Sequence, residues 1–256
     1  VIPAESGELA SGLNGEGRMA EPENIVHFIK EVLVQGLPFA GKKILITAGP
    51  TYEAIDPVRF IGNRSSGKMG LALAETLAEQ GAEVCVVLGP SAVGTSNKTI
   101  ELIHVESADE MYAAVMLRYK EQDVVICSAA VADYKPLQAA ESKIKKKADT
   151  IDLALTKNPD ILAKLGELKK GQFLVGFALE TENLLENAVQ KLKNKNLDLI
   201  VANAANEPGV GFGHDTNAVS VIDTHNNVFK FELKSKVAIA NDIVNLLALK
   251  LKERDA

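Results

Sequence analysis

Residues 44–51 run Ile-Leu-Ile-Thr-Ala-Gly-Pro-Thr, and residues 63–70 run Asn-Arg-Ser-Ser-Gly-Lys-Met-Gly. The first stretch is a short apolar run that stops at Gly49-Pro50, a pair that ends strands. Beyond Ser66, apolar residues recur at every fourth position, which predicts one face of a helix. The polar loop between them therefore follows a parallel strand at its carboxyl end, where open α/β sheets bind ligands.

This loop approaches the sequence of a phosphate-binding P-loop but departs from it. Gly62 and Gly67-Lys68 have the P-loop spacing, yet Met69 stands where that motif needs a hydroxyl for magnesium. What remains is a helix amino terminus, whose free N–H groups and positive dipole end can hold an anion. A plain serine N-cap would have the same sequence. Nearby cations and amides favour phosphate binding, and the candidate residues are Arg59, Asn63, Ser65, Ser66, Gly67 and Lys68.

The composition is that of a globular protein rather than a general nucleic-acid binder. The 256 residues are 46% apolar and 24% charged, with a net charge of −6, so basic patches can only be local. No apolar run approaches the ~20 residues of a membrane span, and the first residues lack a signal-peptide pattern. Cys85 and Cys127 lie in predicted buried strands and are expected to be core thiols. The scattered histidines predict no metal cluster, and the expected compartment is the cytoplasm.

The first 40 residues differ from the rest of the chain. A polar stretch punctuated by glycines precedes a predicted helix from Pro22 to about Val34, and residues 36–41 are typical of a linker. This piece is too short to form its own core and is expected to be the tail of a preceding module. Residues 41–256 are expected to form one domain.

Predicted strands and helices alternate throughout that domain. The succession predicts an α/β fold with a Rossmann-like, mostly parallel sheet, helices on both faces and a C-terminal antiparallel hairpin. The predicted strands are 43–47, 84–88, 100–105, 123–128, 173–177 and 197–202; the helices are 67–80, 108–121, 159–168, 182–195 and one containing 237–251; the hairpin pairs 218–222 with 228–233.

Small and acidic residues follow one of the later strands. Ala129 and Ala130 would let a ligand approach the backbone closely at a strand's carboxyl end. Asp133 comes next, and its carboxylate suits a ribose, a base or a magnesium-bound phosphate, or merely caps a turn. Phe177 ends another strand, where it either joins the core or stacks on a base.

Other candidates lie at helix termini and on helix faces. Asn158-Pro159 opens the helix 159–168, with Asn158 as its predicted N-cap. Lys191 and Lys195 share one helix face, and two cations without an intervening carboxylate suggest a shared anion.

A run of lysines, which we call the lysine segment, occupies residues 143–147 except for Ile144. An ammonium on such a segment can follow the negative charge of a triphosphate through reaction. A solvated surface is the alternative, and Lys146 and Lys147 are expected to be of that kind. No nucleophilic triad accompanies these residues, so the inventory favours phosphoryl or nucleotidyl transfer over acyl or hydride chemistry.

Seven ordered segments carry a family resemblance: residues 46–51, 56–61, 63–70, 129–134, 143–146, 157–161 and 175–178. Together they resemble bacterial phosphopantothenoylcysteine synthetase, the carboxy-terminal half of a bifunctional coenzyme A biosynthesis protein. The resemblance runs from about residue 41 to the end. Residues 15–22 are similar to the last segment of the decarboxylase half.

The resemblance implies a ligase that joins 4′-phosphopantothenate to L-cysteine. CTP with Mg²⁺ would form an acyl-cytidylate and release pyrophosphate, and the cysteine amine would then displace CMP. Asn63 would handle the acyl-cytidylate, Arg59 would serve the second half-reaction, and Lys143 would be the catalytic lysine. The implied nucleotide contacts are Asp133, Lys143, Asn158, Pro159, Asp160, Ile161, Phe177, Lys191 and Lys195.

The family resemblance also implies partners. It implies a homodimer built on extra strands, for which residues 141–155 and the 218–233 hairpin are candidates. In the full-length protein it implies fusion to an FMN-dependent decarboxylase. Two rival functions stay open: a non-catalytic nucleotide-binding module, and an NAD(P)-dependent oxidoreductase, which the missing G-x-G-x-x-G fingerprint disfavours.

Overall fold

The computed structural model describes residues 2–8, 11–145, 150–180, 182–204 and 209–255. Lys146 and Lys147 of the lysine segment lie outside the described residues. The strands are β1 Glu5–Glu8, β2 Asn14–Arg18, β3 Lys43–Ala48, β4 Tyr52–Ala54, β5 Phe60–Gly62, β6 Glu83–Leu88, β7 Glu101–His104, β8 Val124–Cys127, β9 Tyr134–Pro136, β10 Leu155–Lys157, β11 Phe173–Glu180, β12 Leu199–Ala204, β13 Thr216–Asp223 and β14 Val228–Ser235. The helices are α1 Pro22–Gln35, α2 Lys68–Glu79, α3 Ala108–Arg118, α4 Ile161–Leu168, α5 Leu184–Asn194 and α6 Lys236–Asp255, with a 3-10 turn at Tyr119–Glu121.

An eight-stranded sheet organises the fold in the order β14-β13-β12-β11-β8-β3-β6-β7. The six strands from β12 to β7 pair in parallel, and β13 and β14 add an antiparallel hairpin at one edge. The mostly parallel α/β sheet and its C-terminal hairpin are confirmed.

Helices cover both faces because the buried strands send alternate side chains to opposite sides. In β3, Ile44 and Ile46 join the core under α2 and α6, whereas Leu45 joins the core under α3, α4 and α5. The predicted stripe of α6 is buried, with Ile243 and Leu247 among its fully covered residues.

Three short antiparallel pairs were not predicted. β1 pairs with β2 in the first 40 residues, β4 with β5 in the motif loop, and β9 with β10 around the lysine segment. Of the range 141–155 expected to hold extra strands, the described residues 141–145 and 150–154 form none, and Leu155 begins β10. The strand pair is formed instead by β9 and β10, which precede and follow the loop 137–154.

The segment predicted as a linker is packed against the domain. Phe39 is fully buried in the core, and its N–H donates to the Gln80 carbonyl at 3.1 Å. This contact anchors the chain just before β3. The predicted boundary at residue 40, between a preceding module and this domain, stays a prediction.

Asp223 fastens the turn of the β13–β14 hairpin, and we predict that it contributes strongly to stability. Its buried carboxylate accepts hydrogen bonds from the N–H groups of His225 and Asn227, both at 2.9 Å, and lies 3.0 Å from Lys250 Nζ. Burial raises the pKa of this carboxyl, but hydrogen bonds from Asn227, Lys250 and the backbone outweigh burial and lower the pKa to about 2. The stabilisation is therefore present above about pH 4 and is lost as the pH falls towards 2.

The expected result for Asp223→Asn is a loss of about 1–3 kcal/mol in the free energy of unfolding at pH 7. The variant should also show a flatter dependence of stability on pH between 4 and 2. Urea unfolding curves at several pH values measure both quantities. Asp255→Asn, at the exposed end of α6, is the control and should change stability by less than about 0.5 kcal/mol. Equal effects of the two substitutions would contradict the prediction.

Candidate functional site

A cavity of about 540 Å³ opens at the carboxyl end of the central strands. Its position is the one expected for ligands of open parallel sheets. Seven predicted nucleotide residues and Ala129 line it, together with residues that the sequence analysis did not single out. The full lining is Thr47, Cys127, Ala129, Val131, Ala132, Asp133, Tyr134, Lys157, Asn158, Pro159, Asp160, Ile161, Leu162, Phe177 and Lys195.

The predicted cap of α4 is wrong. Asp160, not Asn158, is the N-cap, and its carboxylate accepts a hydrogen bond from the Ala163 N–H at 3.0 Å. Pro159 therefore precedes the helix rather than opening it. Both Asn and Asp are good caps, so the sequence alone does not choose between them.

Asn158 is thereby left free to shape the cavity wall. Its Nδ2 donates to the Ala132 carbonyl at 2.8 Å, and its backbone N–H donates to the Asp133 carbonyl at 2.9 Å. Its Oδ1 is buried and makes no hydrogen bond within the described structure. A buried acceptor without a partner is costly, so it is a candidate contact for a ligand's donor group.

Each of the two helix lysines has its own carboxylate. Lys195 Nζ lies 2.8 Å from Asp160, and Lys191 Nζ lies 2.6 Å from Glu180. Burial opposes ionisation of Asp160, but the Lys195 contact and the Ala163 N–H keep the pKa of that carboxyl below its usual value. Because the carboxylates come from neighbouring elements, repulsion between the lysines no longer argues for a shared anion. Lys195 lines the cavity and Lys191 does not.

A second, smaller cavity of about 110 Å³ lies at the amino terminus of α2. Gly67 caps this helix with a φ of 77°, and neither preceding serine caps it with its side chain. Lys68 does not stay free, because its Nζ lies 2.5 Å from Asp215. The predicted residues among the lining are Ser65, Ser66, Gly67, Lys68, Ala129, Phe177 and Ala130.

A buried lysine forms part of this second cavity and was missed by the sequence analysis. Lys236 is 7% exposed, and its Nζ donates to the carbonyls of His214 at 2.6 Å and Gly211 at 3.1 Å. Burial, with the nearby charge of Lys68, lowers the pKa of this ammonium. Lys236 thus holds the 209–215 loop against the cavity. As an isolated lysine at the start of a long amphipathic helix, it gave no signal in the sequence.

Asn63 joins the motif loop to the segment after β8. Its Nδ2 donates to the carbonyls of Ala130 at 3.0 Å and Val131 at 3.1 Å. Since Ala129 lines both cavities while Val131 and Ala130 line one each, this amide fixes the wall that separates the two cavities. The side chain itself is exposed.

Arg59 is held away from the large cavity by a buried carboxylate. The carboxylate of Asp56 accepts hydrogen bonds from Arg59 Nε at 3.0 Å and from Arg59 Nη2 at 2.5 Å. The guanidinium beside Asp56, with three backbone N–H groups, holds the pKa of that carboxyl well below its usual range despite burial. Arg59 also donates to the Ile144 carbonyl at 3.1 Å. Lys143 is exposed and lines neither cavity.

The two thiols lie in or beside the core, and the possible metal ligands are scattered over the described residues. Cys85 is buried as predicted, whereas Cys127 lies at the cavity wall. Burial raises the pKa of each thiol to about 12, so both are protonated at neutral pH. The described residues contain no group of three or more His, Cys, Asp or Glu placed to hold a metal. Within the same residues, no helix is long and apolar enough to cross a membrane.

The fold and the two cavities define a doubly wound α/β protein with its ligand-binding edge at the carboxyl ends of the parallel strands. The chain belongs to the family of DNA/pantothenate metabolism flavoprotein C-terminal domains, whose model matches residues 39–250.

Two curated relatives and a solved structure resemble the chain. It is 45% identical to the coenzyme A biosynthesis bifunctional protein CoaBC of Bacillus subtilis over 97% of this chain and 61% of that protein. It is 50% identical to a protein named cysteine/cysteine sulfinic acid decarboxylase, from an unknown prokaryote, over 95% of this chain and 69% of that protein. The crystal structure of the C-terminal domain of a CoaBC protein superimposes with a TM-score of 0.73 at 41% identity, covering 85% of this chain and all of that one. The chain thus spans about two thirds or less of these curated relatives.

Proposed function

We propose that this chain is a ligase that joins 4′-phosphopantothenate to L-cysteine through an acyl-cytidylate, a step of coenzyme A biosynthesis. The observation that carries the proposal is the large cavity, which is lined by seven residues that the resemblance implies as nucleotide contacts. The likeness to the C-terminal domain of a coenzyme A biosynthesis protein, over the whole of that domain, supports the same assignment.

The chemistry requires two displacements. In the first, the carboxylate of 4′-phosphopantothenate attacks the α-phosphorus of CTP, and pyrophosphate leaves. In the second, the amine of cysteine attacks the acyl carbon, and CMP leaves with the bonding electron pair. Both steps develop negative charge on oxygen, which positioned ammonium and amide groups stabilise.

The two cavities suggest how the substrates divide. The large cavity, with Asn158, Phe177 and Lys195, would take the nucleotide. The small cavity at the start of α2 offers backbone N–H groups to an anion and would take the acidic substrate. The wall that Asn63 fixes would then lie between them, where the reacting groups must meet.

Magnesium fits this site as a companion of the nucleotide. Mg²⁺ is commonly bound by one or two carboxylates together with substrate phosphates. Two exposed carboxylates line the cavity, and because Asp160 is paired with Lys195, Asp133 is the candidate ligand. The metal would neutralise charge on the triphosphate.

The test is release of pyrophosphate by the purified chain. We expect release from CTP only when 4′-phosphopantothenate is present, and formation of the cysteine amide once cysteine is added. A parallel assay with ATP tests whether the site selects the base. Equal turnover without 4′-phosphopantothenate would refute the ligase, and CTP binding without pyrophosphate release would favour the non-catalytic module. Tight NADPH binding would favour the oxidoreductase.

Lys191 and Lys195 are predicted to grip the nucleotide throughout the reaction. Replacing either by Gln should raise the apparent KM for CTP about tenfold, the effect of losing one charged hydrogen bond, and leave kcat nearly unchanged. Steady-state kinetics of pyrophosphate release measures both constants. Lys193→Gln, which is also exposed on α5 but is not among the implied nucleotide contacts, is the matched control. A loss of kcat at constant KM would contradict this role.

We predict that the chain forms a homodimer through its small strand pairs. The β4–β5 and β9–β10 pairs pack against each other, and apolar side chains around them are exposed. Clustered exposed apolar surface marks interaction sites. The residues concerned are Val58, Phe60, Tyr134, Leu137, Ile151, Leu153 and Leu155. Light scattering should give twice the mass of one chain, and a fully active monomer would refute the prediction.

The cellular setting follows from the same assignment. We propose a cytoplasmic protein, and a full-length form in which residues 1–40 end an FMN-dependent decarboxylase.

A further inference from the structure

We propose that Asp56 is a positioning residue that fixes the place of Lys143 and Lys145 through the backbone of Ile144. This inference rests on the proposed function, because it concerns the rate of the CTP-consuming step. Asp56 itself touches neither cavity. Its role would be exerted through residues that flank Ile144.

The carboxylate of Asp56 divides its two oxygens between two tasks. Oδ1 accepts the N–H groups of Val58 and Arg59, both at 2.9 Å, and so closes its own turn. Oδ2 accepts the Arg59 guanidinium and, at 3.1 Å, the Ile144 N–H. Asp56 is only 3% exposed. Its hydrogen bonds are therefore shielded from water, and each is costly to lose.

Ile144 is held at both of its backbone groups. Its N–H donates to Asp56 and its carbonyl accepts from Arg59 at 3.1 Å. One further bond, from the Ala140 N–H to the Ile55 carbonyl at 2.9 Å, fastens the same loop to the same turn. The Asp56–Arg59 pair therefore satisfies both backbone groups of Ile144, as a hydrogen-bonded neighbouring strand would.

Ile144 lies between two lysines, so the Asp56 contact also affects where they lie. Lys143 and Lys145 flank it and are both exposed. The loop that carries them connects β9 to β10. At the other end of this strand pair, Tyr134 and Lys157 are paired, and both line the large cavity. Fixing Ile144 thus limits where the adjacent ammonium groups can reach. The pair also connects Arg59, proposed for the second displacement, to the lysine proposed for the first.

Two substitutions test the contact without removing the turn. Asp56→Asn can keep its Oδ1 contacts while its amide presents a donor to the Ile144 N–H and to Arg59. Ile144→Pro removes the N–H that Asp56 accepts, together with the isoleucine side chain, and leaves the Asp56–Arg59 pair in place. Ser142→Pro is the matched control for the stiffness that proline adds to the loop. Thermal unfolding identifies any variant that fails to fold, and Ile144→Pro then replaces Asp56→Asn.

Limited trypsin cleavage after Lys145 gives a readout that is independent of catalysis. We expect cleavage to be several-fold faster in Asp56→Asn and Ile144→Pro than in the unmodified chain, and unchanged in Ser142→Pro. Unchanged cleavage in both test variants would overturn the proposal. If the unmodified chain releases no pyrophosphate, the proposed function fails and cleavage alone decides on the contact.

The kinetic test asks whether Asp56 acts through Lys143. Pyrophosphate release without cysteine isolates the first displacement from any effect on Arg59. Asp56→Asn should slow that release about tenfold in the unmodified chain but less than about twofold in a Lys143→Gln background, because coupled residues are not additive. An equal tenfold loss in both backgrounds would overturn the proposal.

Discussion

Asn63→Asp should continue to consume CTP and release pyrophosphate while making little of the cysteine amide. The substitution replaces an amide that donates to two carbonyl oxygens with a carboxylate that repels them. The wall between the cavities would then no longer be held for the second displacement. An ordinary hydrogen bond contributes about 0.5–1.5 kcal/mol, so losing both should slow the second displacement about tenfold or more, and we expect the acyl-cytidylate to accumulate. Mass spectrometry of quenched reactions would detect it.

A companion variant separates the lost donor from the added charge. Asn63→Ala removes the amide without introducing a carboxylate, and it should also accumulate the intermediate if donation to Ala130 and Val131 is what matters. Should both variants lose CTP binding, Asn63 would be a nucleotide ligand instead. The assignment to the second displacement would then be wrong.

The sheet could be predicted from the sequence because its signals are local. The buried run at 44–46, the apolar period of four after Ser66 and the small residues after β8 each arise from the geometry of one element. Their order then fixes a parallel sheet wound with helices. The cavity at its carboxyl edge follows from that topology rather than from any single residue.

The missed features depend on contacts between distant segments. The lysines of α5 are neutralised by Asp160 and Glu180, which belong to other elements. The short strands β4, β5, β9 and β10 have three residues each, too few for a periodic signal. The N-cap of α4 could have been either Asn158 or Asp160, which are both good capping residues. For the lysines and the short strands, contacts between distant segments rather than local propensity decided the outcome.

The lysine segment is where the predicted roles differ most from a plain charged surface. Lys143→Gln should reduce kcat for pyrophosphate release by about a hundredfold or more, because a charge-assisted contact to a developing phosphoryl charge is worth about 2.7–4 kcal/mol. The structure shows Lys143 exposed and outside both cavities, so the contact would form only with the nucleotide bound. Stability should change by less than about 0.5 kcal/mol, as for other exposed positions.

Lys145→Gln is the matched control for that prediction. It lies in the same loop, has the same charge and is also exposed, but it follows Ile144 rather than preceding it. Its replacement should change kcat less than about twofold, as expected for a solvated charge outside the reacting centre. Lys146→Gln and Lys147→Gln should behave in the same way. If all four variants lose activity equally, the segment supplies only a general positive field, and no lysine within it has a place of its own at the triphosphate.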